Sequence, residues 1–100
     1  MEQQKENLKI KIGKTLRELR ILSGFTMMHI AFEAEMEYNQ LSRIERGKIN
    51  TSVYSLEKLC KVLGVPVSTF FLMVESGVIT KSISVGLVKK ISIEKKINLD

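Results

Sequence analysis

Tryptophan is absent from these 100 residues, and cysteine, histidine and proline occur once each. Each scarcity removes a class of function. A single cysteine, Cys60, allows no intrachain disulfide and no thiolate pair for zinc. His29 is the only imidazole, and a lone histidine beside a lone cysteine in a small domain is weak evidence for a metal site or a nucleophile–base pair. Cys60 is therefore expected to be a small buried hydrophobe on a helix, and His29 to lie on a solvated helix face. No cofactor, metal or catalytic residue is expected, and the chain does not read as an enzyme. Aromatics make up only 6% of the chain, so Leu, Ile and Val must supply the core. The uncharged stretches over residues 49–56 and 63–74 are short and interrupted by Ser, Thr, Gly and Pro, which argues against a membrane span. The polar start, Met1 to Asn7, lacks the apolar stretch of a signal peptide, so a cytoplasmic location is expected.

What is present is 44% hydrophobic residues, enough for one compact domain, and a formal net charge of +5. The positive balance suits a polyanionic partner. Its placement is uneven. Residues 1–80 carry eleven Lys/Arg against nine Asp/Glu, whereas residues 81–100 carry five against two.

Helical spacing organises most of the chain. Leu8, Ile12, Leu16, Leu19 and Leu22 recur at helix period, and Ser23-Gly24 stops that first helix. Thr26 can cap a second helix over Met27–Ala34. Glu35-Met36 make a turn, a third helix opens at Glu37 or Tyr38 and runs to Arg46, and Gly47 ends it. Ser52 caps a fourth helix with Leu56, Leu59, Cys60 and Leu63 as its apolar stripe. Gly64-Val65-Pro66 ends that helix, and Ser68 is expected to cap a fifth over Thr69–Val74. The run Phe70 to Val74 is more apolar than one core face can absorb.

Residues 26–47 carry the densest signal. They read as two short amphipathic helices joined by a tight turn, with Ile30, Ala31 and Ala34 inward on one and Leu41 and Ile44 inward on the other. Tyr38, Asn39, Ser42, Arg43 and Arg46 are left outward, and these are groups suited to base edges and phosphates. Residues 76–100 differ in character. They are rich in Ile, Val, Ser and Lys with local alternation, as expected of a β-hairpin or a dimerisation arm. The domain organisation expected is therefore a DNA-binding domain over residues 8–75 and a basic, β-branched extension over residues 76–100.

Three separated segments resemble the XRE/Cro-repressor type of helix-turn-helix protein. They are Ile12-Gly13-Lys14-Thr15-Leu16-Arg17-Glu18-Leu19-Arg20, Leu41-Ser42-Arg43-Ile44-Glu45-Arg46-Gly47-Lys48 and Leu56-Glu57-Lys58-Leu59-Cys60-Lys61-Val62-Leu63-Gly64-Val65. The resemblance covers about residues 8–74 and implies an all-α, five-helix domain that binds double-stranded DNA as a homodimer. It implies that the third helix enters the major groove, with Tyr38, Asn39, Gln40 and Arg43 reading bases. It assigns phosphate contacts to Thr26, Met27, Ser42, Arg46, Lys48 and Asn50, and a fold-locking ion pair to Arg20 and Glu45. The function implied is a sequence-specific transcription regulator acting as a dimer, with repression the expected direction. An alternative of another class is an antitoxin or other interaction module whose residues 76–100 grip a partner protein. The chain departs from the family pattern at Met27, where Gln is usual, at Glu35, where Gly is usual, and at Glu37, where Ser or Thr is usual. Carboxylates at those places oppose phosphate unless they accept from cytosine N4.

Overall fold

The computed structural model describes residues 7–79, and the expected arm over residues 76–100 lies outside them from residue 80 on. Five helices follow one another: α1 Leu8–Ser23, α2 Met27–Glu33, α3 Tyr38–Glu45, α4 Val53–Leu63 and α5 Val67–Ser76. No strand occurs among the described residues, so the domain is all-α.

Local chemistry sets most boundaries. Asn7, Thr26 and Ser52 stand in extended conformation ahead of α1, α2 and α4. Each side-chain oxygen accepts from the backbone N–H three residues on. Gly24 and Gly64 end α1 and α4 in the left-handed region that glycine enters without a Cβ clash.

The fifth helix departs from expectation. It begins at Val67, not after Ser68, because Pro66 holds φ at −66° and its carbonyl accepts from Phe70 N at 2.9 Å. Ser68 therefore lies exposed in the first turn. The helix also runs two residues further, to Ser76.

The core gathers inward residues of all five helices, including Leu16, Leu19, Ile30, Leu41, Ile44, Leu56, Leu59 and Phe70, each nearly inaccessible to solvent. Cys60 is buried among them as expected. α1 uses only the middle of its expected stripe. Leu8 and Leu22 are about half exposed. At 100° per residue, Leu22 has rotated roughly 90° from the mean direction of Ile12, Leu16 and Leu19, and Ser23 falls on the core side instead. On α5, Phe70, Met73 and Val74 are buried while Leu72 stays exposed, so the apolar excess expected there stands at the surface.

Gly13 lets α1 cross the end of α3 at backbone distance. A Cβ there would collide with the Ile44 carbonyl oxygen and sit 2.7 Å from that of Glu45. Among the described residues no buried side-chain polar atom lacks a hydrogen-bond partner. No single helix among them is long and apolar enough to cross a membrane.

Candidate nucleic-acid interface

Helices α2 and α3 are joined by four residues, Ala34 to Glu37, whose geometry follows from one left-handed backbone. Glu35 has φ of 54°, the only positive φ outside glycine among the described residues. Its N–H donates to Phe32 O at 3.1 Å, and Met36 N–H donates to Ala31 O at 2.9 Å. That pair of bonds is the Schellman closure, normally built on glycine. The turn after α3 repeats it. Gly47, at φ of 70°, donates to Ile44 O at 3.0 Å, and Lys48 donates to Arg43 O at 2.9 Å. The two turns fix how α3 enters and leaves the surface.

α3 has two faces. Leu41, Ile44 and Glu45 are buried, while Tyr38, Asn39, Arg43 and Arg46 are exposed. The buried acid is held by Arg20 of α1, whose Nε and Nη2 donate to the Glu45 carboxylate at 2.8 and 3.1 Å. Arg20 Nη1 also donates to the Phe25 carbonyl at 3.1 Å. One guanidinium thus ties the end of α1, the entry to α2 and the last turn of α3 into a rigid unit. The fork geometry is what a planar guanidinium offers a carboxylate. Both side chains are thereby committed to holding the fold.

The remaining expected contacts fall out as follows. Asn39 and Arg43 are four residues apart, one above the other on the exposed face, about 6 Å along the axis. Tyr38 and Ser42 are spaced likewise, with Ser42 half-buried. Gln40 is half-buried at the edge of that face. Arg46 is exposed and donates its Nε to the Ser42 carbonyl at 3.3 Å. Lys48 and Asn50 are exposed in the segment after α3. Thr26 is exposed, its hydroxyl oxygen accepting from His29 N at 3.0 Å as a cap. Met27 differs from its expected partners: it is half-buried and packs on the core, so its side chain is turned to structure. Glu37, at the start of α3, makes no side-chain cap. The carboxylate of Glu is one methylene too long for the return hydrogen bond that Asp, Ser or Thr makes.

Some neighbouring features escape sequence reasoning. Phe25 and His29 stack with ring centroids 4.7 Å apart, so the imidazole is exposed but not idle. An open groove beside α3 is lined by Phe25, Thr26, Met27, Met28 and Tyr38, with Arg20 at its back. Met28 and Phe32, four apart on α2, are exposed by 72% and 79%. Only their i, i+4 spacing away from Ile30 and Ala31 marks that face in the sequence. Cys60 offers no chemistry: burial, with Glu57 nearby, pushes its thiol up to about 12. No cluster of His, Cys, Asp and Glu capable of holding a metal ion occurs among the described residues.

The helix-turn-helix family model matches residues 16–70 of this chain, spanning α2, the turn and α3. Among curated proteins, the control protein C.BamHI of Bacillus amyloliquefaciens is 35% identical over 60 residues, which are 59% of this chain and 74% of that protein. The HTH-type transcriptional regulator PuuR of Escherichia coli is 34% identical over 59 residues, but these make up only 32% of that longer protein. Among solved structures, the restriction-modification controller protein C.Esp1396I is similar with a TM-score of 0.66 and 28% identity. The match covers 72% of this chain and 95% of that one, which was solved as a tetramer in complex with its natural 35 base-pair operator.

Proposed function

The chain belongs to the helix-turn-helix family, a family of DNA-binding regulators and not of enzymes, and from that premise we propose that it is a dimeric, sequence-specific repressor. α3 lies in the major groove. Arg43 donates a forked pair to guanine O6 and N7, and Asn39 pairs bidentately with adenine N6 and N7. Tyr38 contacts a thymine methyl or a phosphate, and Gln40 reads at the edge of the helix. Thr26, Ser42, Arg46, Lys48 and Asn50 hold the backbone and set the register, while Met27 adds its main-chain amide in the first turn of α2. Residues 8–75 form the DNA-binding unit, with residues 76–100 as an accessory segment.

The observation that carries this reading is the division of α3. Its apolar residues and its one acid are consumed by packing and by Arg20, which leaves Asn39 and Arg43 exposed and adjacent. A single domain of this size buries too little surface for operator-grade affinity, which is the argument for a two-fold dimer. The interaction-module alternative receives no comparable support, because the relatives and structural neighbours are transcription regulators and controller proteins.

Selection from random duplex DNA with the purified full-length protein at near-physiological salt tests the proposal. The expected result is an enriched palindrome with half-sites about one helical turn, or roughly 34 Å, apart. Uniform, salt-sensitive binding with no enriched sequence would overturn it.

A further inference from the structure

Five residues stand immediately ahead of the five helices, and in three cases the side chain is spent on capping. Asn7 accepts from Ile10 N, Thr26 from His29 N and Ser52 from Ser55 N, at 3.2, 3.0 and 3.0 Å. Pro66 has no side-chain acceptor to give. Glu37 has one and does not use it. Its backbone is already in the extended conformation of a cap, with φ of −71° and ψ of 141°, yet its carboxylate makes no capping bond. Its backbone carbonyl accepts from Leu41 N at 3.1 Å, but the carboxylate takes part in no hydrogen bond or ion pair with any other described residue. The side chain is exposed and stands directly before Tyr38 and Asn39.

A full negative charge so placed is unfavourable beside DNA unless it meets a donor. The phosphates offer none. In the major groove, the exocyclic amino groups of cytosine and adenine are the donors on base edges. Adenine presents its N7 acceptor next to N6, a pattern that suits an amide and repels a carboxylate. Cytosine presents N4 without a neighbouring acceptor on the same base. Guanine and thymine turn only acceptors toward that edge, so a carboxylate rejects them as well as selecting cytosine.

We propose that Glu37 is a specificity-determining residue whose carboxylate accepts a hydrogen bond from the N4 amino group of one cytosine per half-site. The assignment rests on the DNA-reading function proposed above and adds a base reader outside the face formed by Asn39 and Arg43. It also explains how an acid can stand at the tip of a helix that approaches a polyanion: its cost on other sequences is the source of selectivity on the right one.

The experiment is a parallel selection from random duplex DNA with the wild type and with Glu37→Thr. Threonine caps helices well, so the variant is expected to fold at least as stably. With the wild type, one position in each half-site should favour cytosine over the other bases by about tenfold. With Glu37→Thr that preference should fall below about twofold, while the enrichment at every other position of the half-site is retained. Identical enriched sequences for the two proteins would overturn the assignment while leaving the regulator intact. So would a uniform gain in affinity on all sequences, which is the mark of a carboxylate that merely repels phosphate. No enrichment with the wild type would instead overturn the DNA-reading function on which the assignment stands.

Discussion

The turn after α2 and the turn after α3 close with the same pair of backbone hydrogen bonds, yet one is built on Glu35 and the other on Gly47. Both residues are left-handed, so both positions reward glycine on backbone grounds. Their surroundings differ. A Cβ on Gly47 would lie 2.9 Å from Ile10 Cγ1 and 3.0 Å from Ile10 Cα, so α1 is packed against that turn. Glu35 is exposed, and its side chain makes no hydrogen bond or ion pair with any other described residue. The packed turn is constrained twice, by conformation and by space. The open turn is constrained by conformation alone, and there the chain tolerates a strained residue. Within one small domain, rigidity is concentrated where α3 leaves the surface, and chemical latitude where it enters.

The largest effect should come from the packed side. Glu45→Ala removes the carboxylate that Arg20 grips and leaves a mostly buried guanidinium with one partner, the Phe25 carbonyl. A loss of about 3 kcal/mol is expected in urea unfolding. If the loss is under about 1 kcal/mol, the pair is behaving as a surface pair and the packed turn owes its rigidity to something else.

Gly47→Ala should come next, at about 2 kcal/mol. The left-handed penalty for alanine, about 1–2 kcal/mol, is partly offset by the stiffer unfolded chain. The approach to Ile10, backbone included, adds the remainder. A loss no larger than the conformational penalty would mean that Ile10 yields freely, and the contrast between the turns would shrink to their sequences.

Glu35→Gly should act in the opposite direction. It relieves about 1–2 kcal/mol of left-handed strain and gives back about 0.5–1 kcal/mol in glycine's unfolded-state entropy. The net expectation is a gain of about 0.5–1 kcal/mol, read as a higher urea midpoint at unchanged slope. A loss would show that the Glu35 side chain contributes to folding after all.

Features decided by one residue and its immediate neighbours were readable from the chain alone. Thr26 and Ser52 cap, Gly24 and Gly64 terminate, and Glu35 sits in a turn, because the chemistry of each is local. Features decided by competition or distance were not. Ser68 looks like a cap until the preset φ of Pro66 starts α5 earlier. Leu22 belongs to the stripe by spacing but not by rotation, and Met27 is spent on the core. The Arg20–Glu45 pair spans 25 residues, and no spacing rule predicts it; only resemblance brought the two together. At the interface, the exposure of Tyr38, Asn39 and Arg43 followed from α3's period. Burial made Gln40 and Ser42 marginal, and the uncommitted carboxylate of Glu37 emerged only when the cap geometry could be seen.

Glu35→Ala has the smallest expected effect on stability and sharpens the comparison most. Alanine and glutamate suffer similar left-handed strain, so the change should stay within about 0.5 kcal/mol. The charge, however, is gone from a turn that adjoins the proposed DNA face. Removing one unpartnered carboxylate near phosphates should raise affinity for every duplex by a similar factor, and the gain should fade as salt is increased. Titrations of a selected site and an unrelated duplex at two salt concentrations read this directly. Equal, salt-sensitive gains on both would show that the open turn confers latitude without information, in contrast to Glu37 two residues later. A gain confined to one sequence would mean that Glu35 discriminates among bases, and the open turn would then be part of the reader.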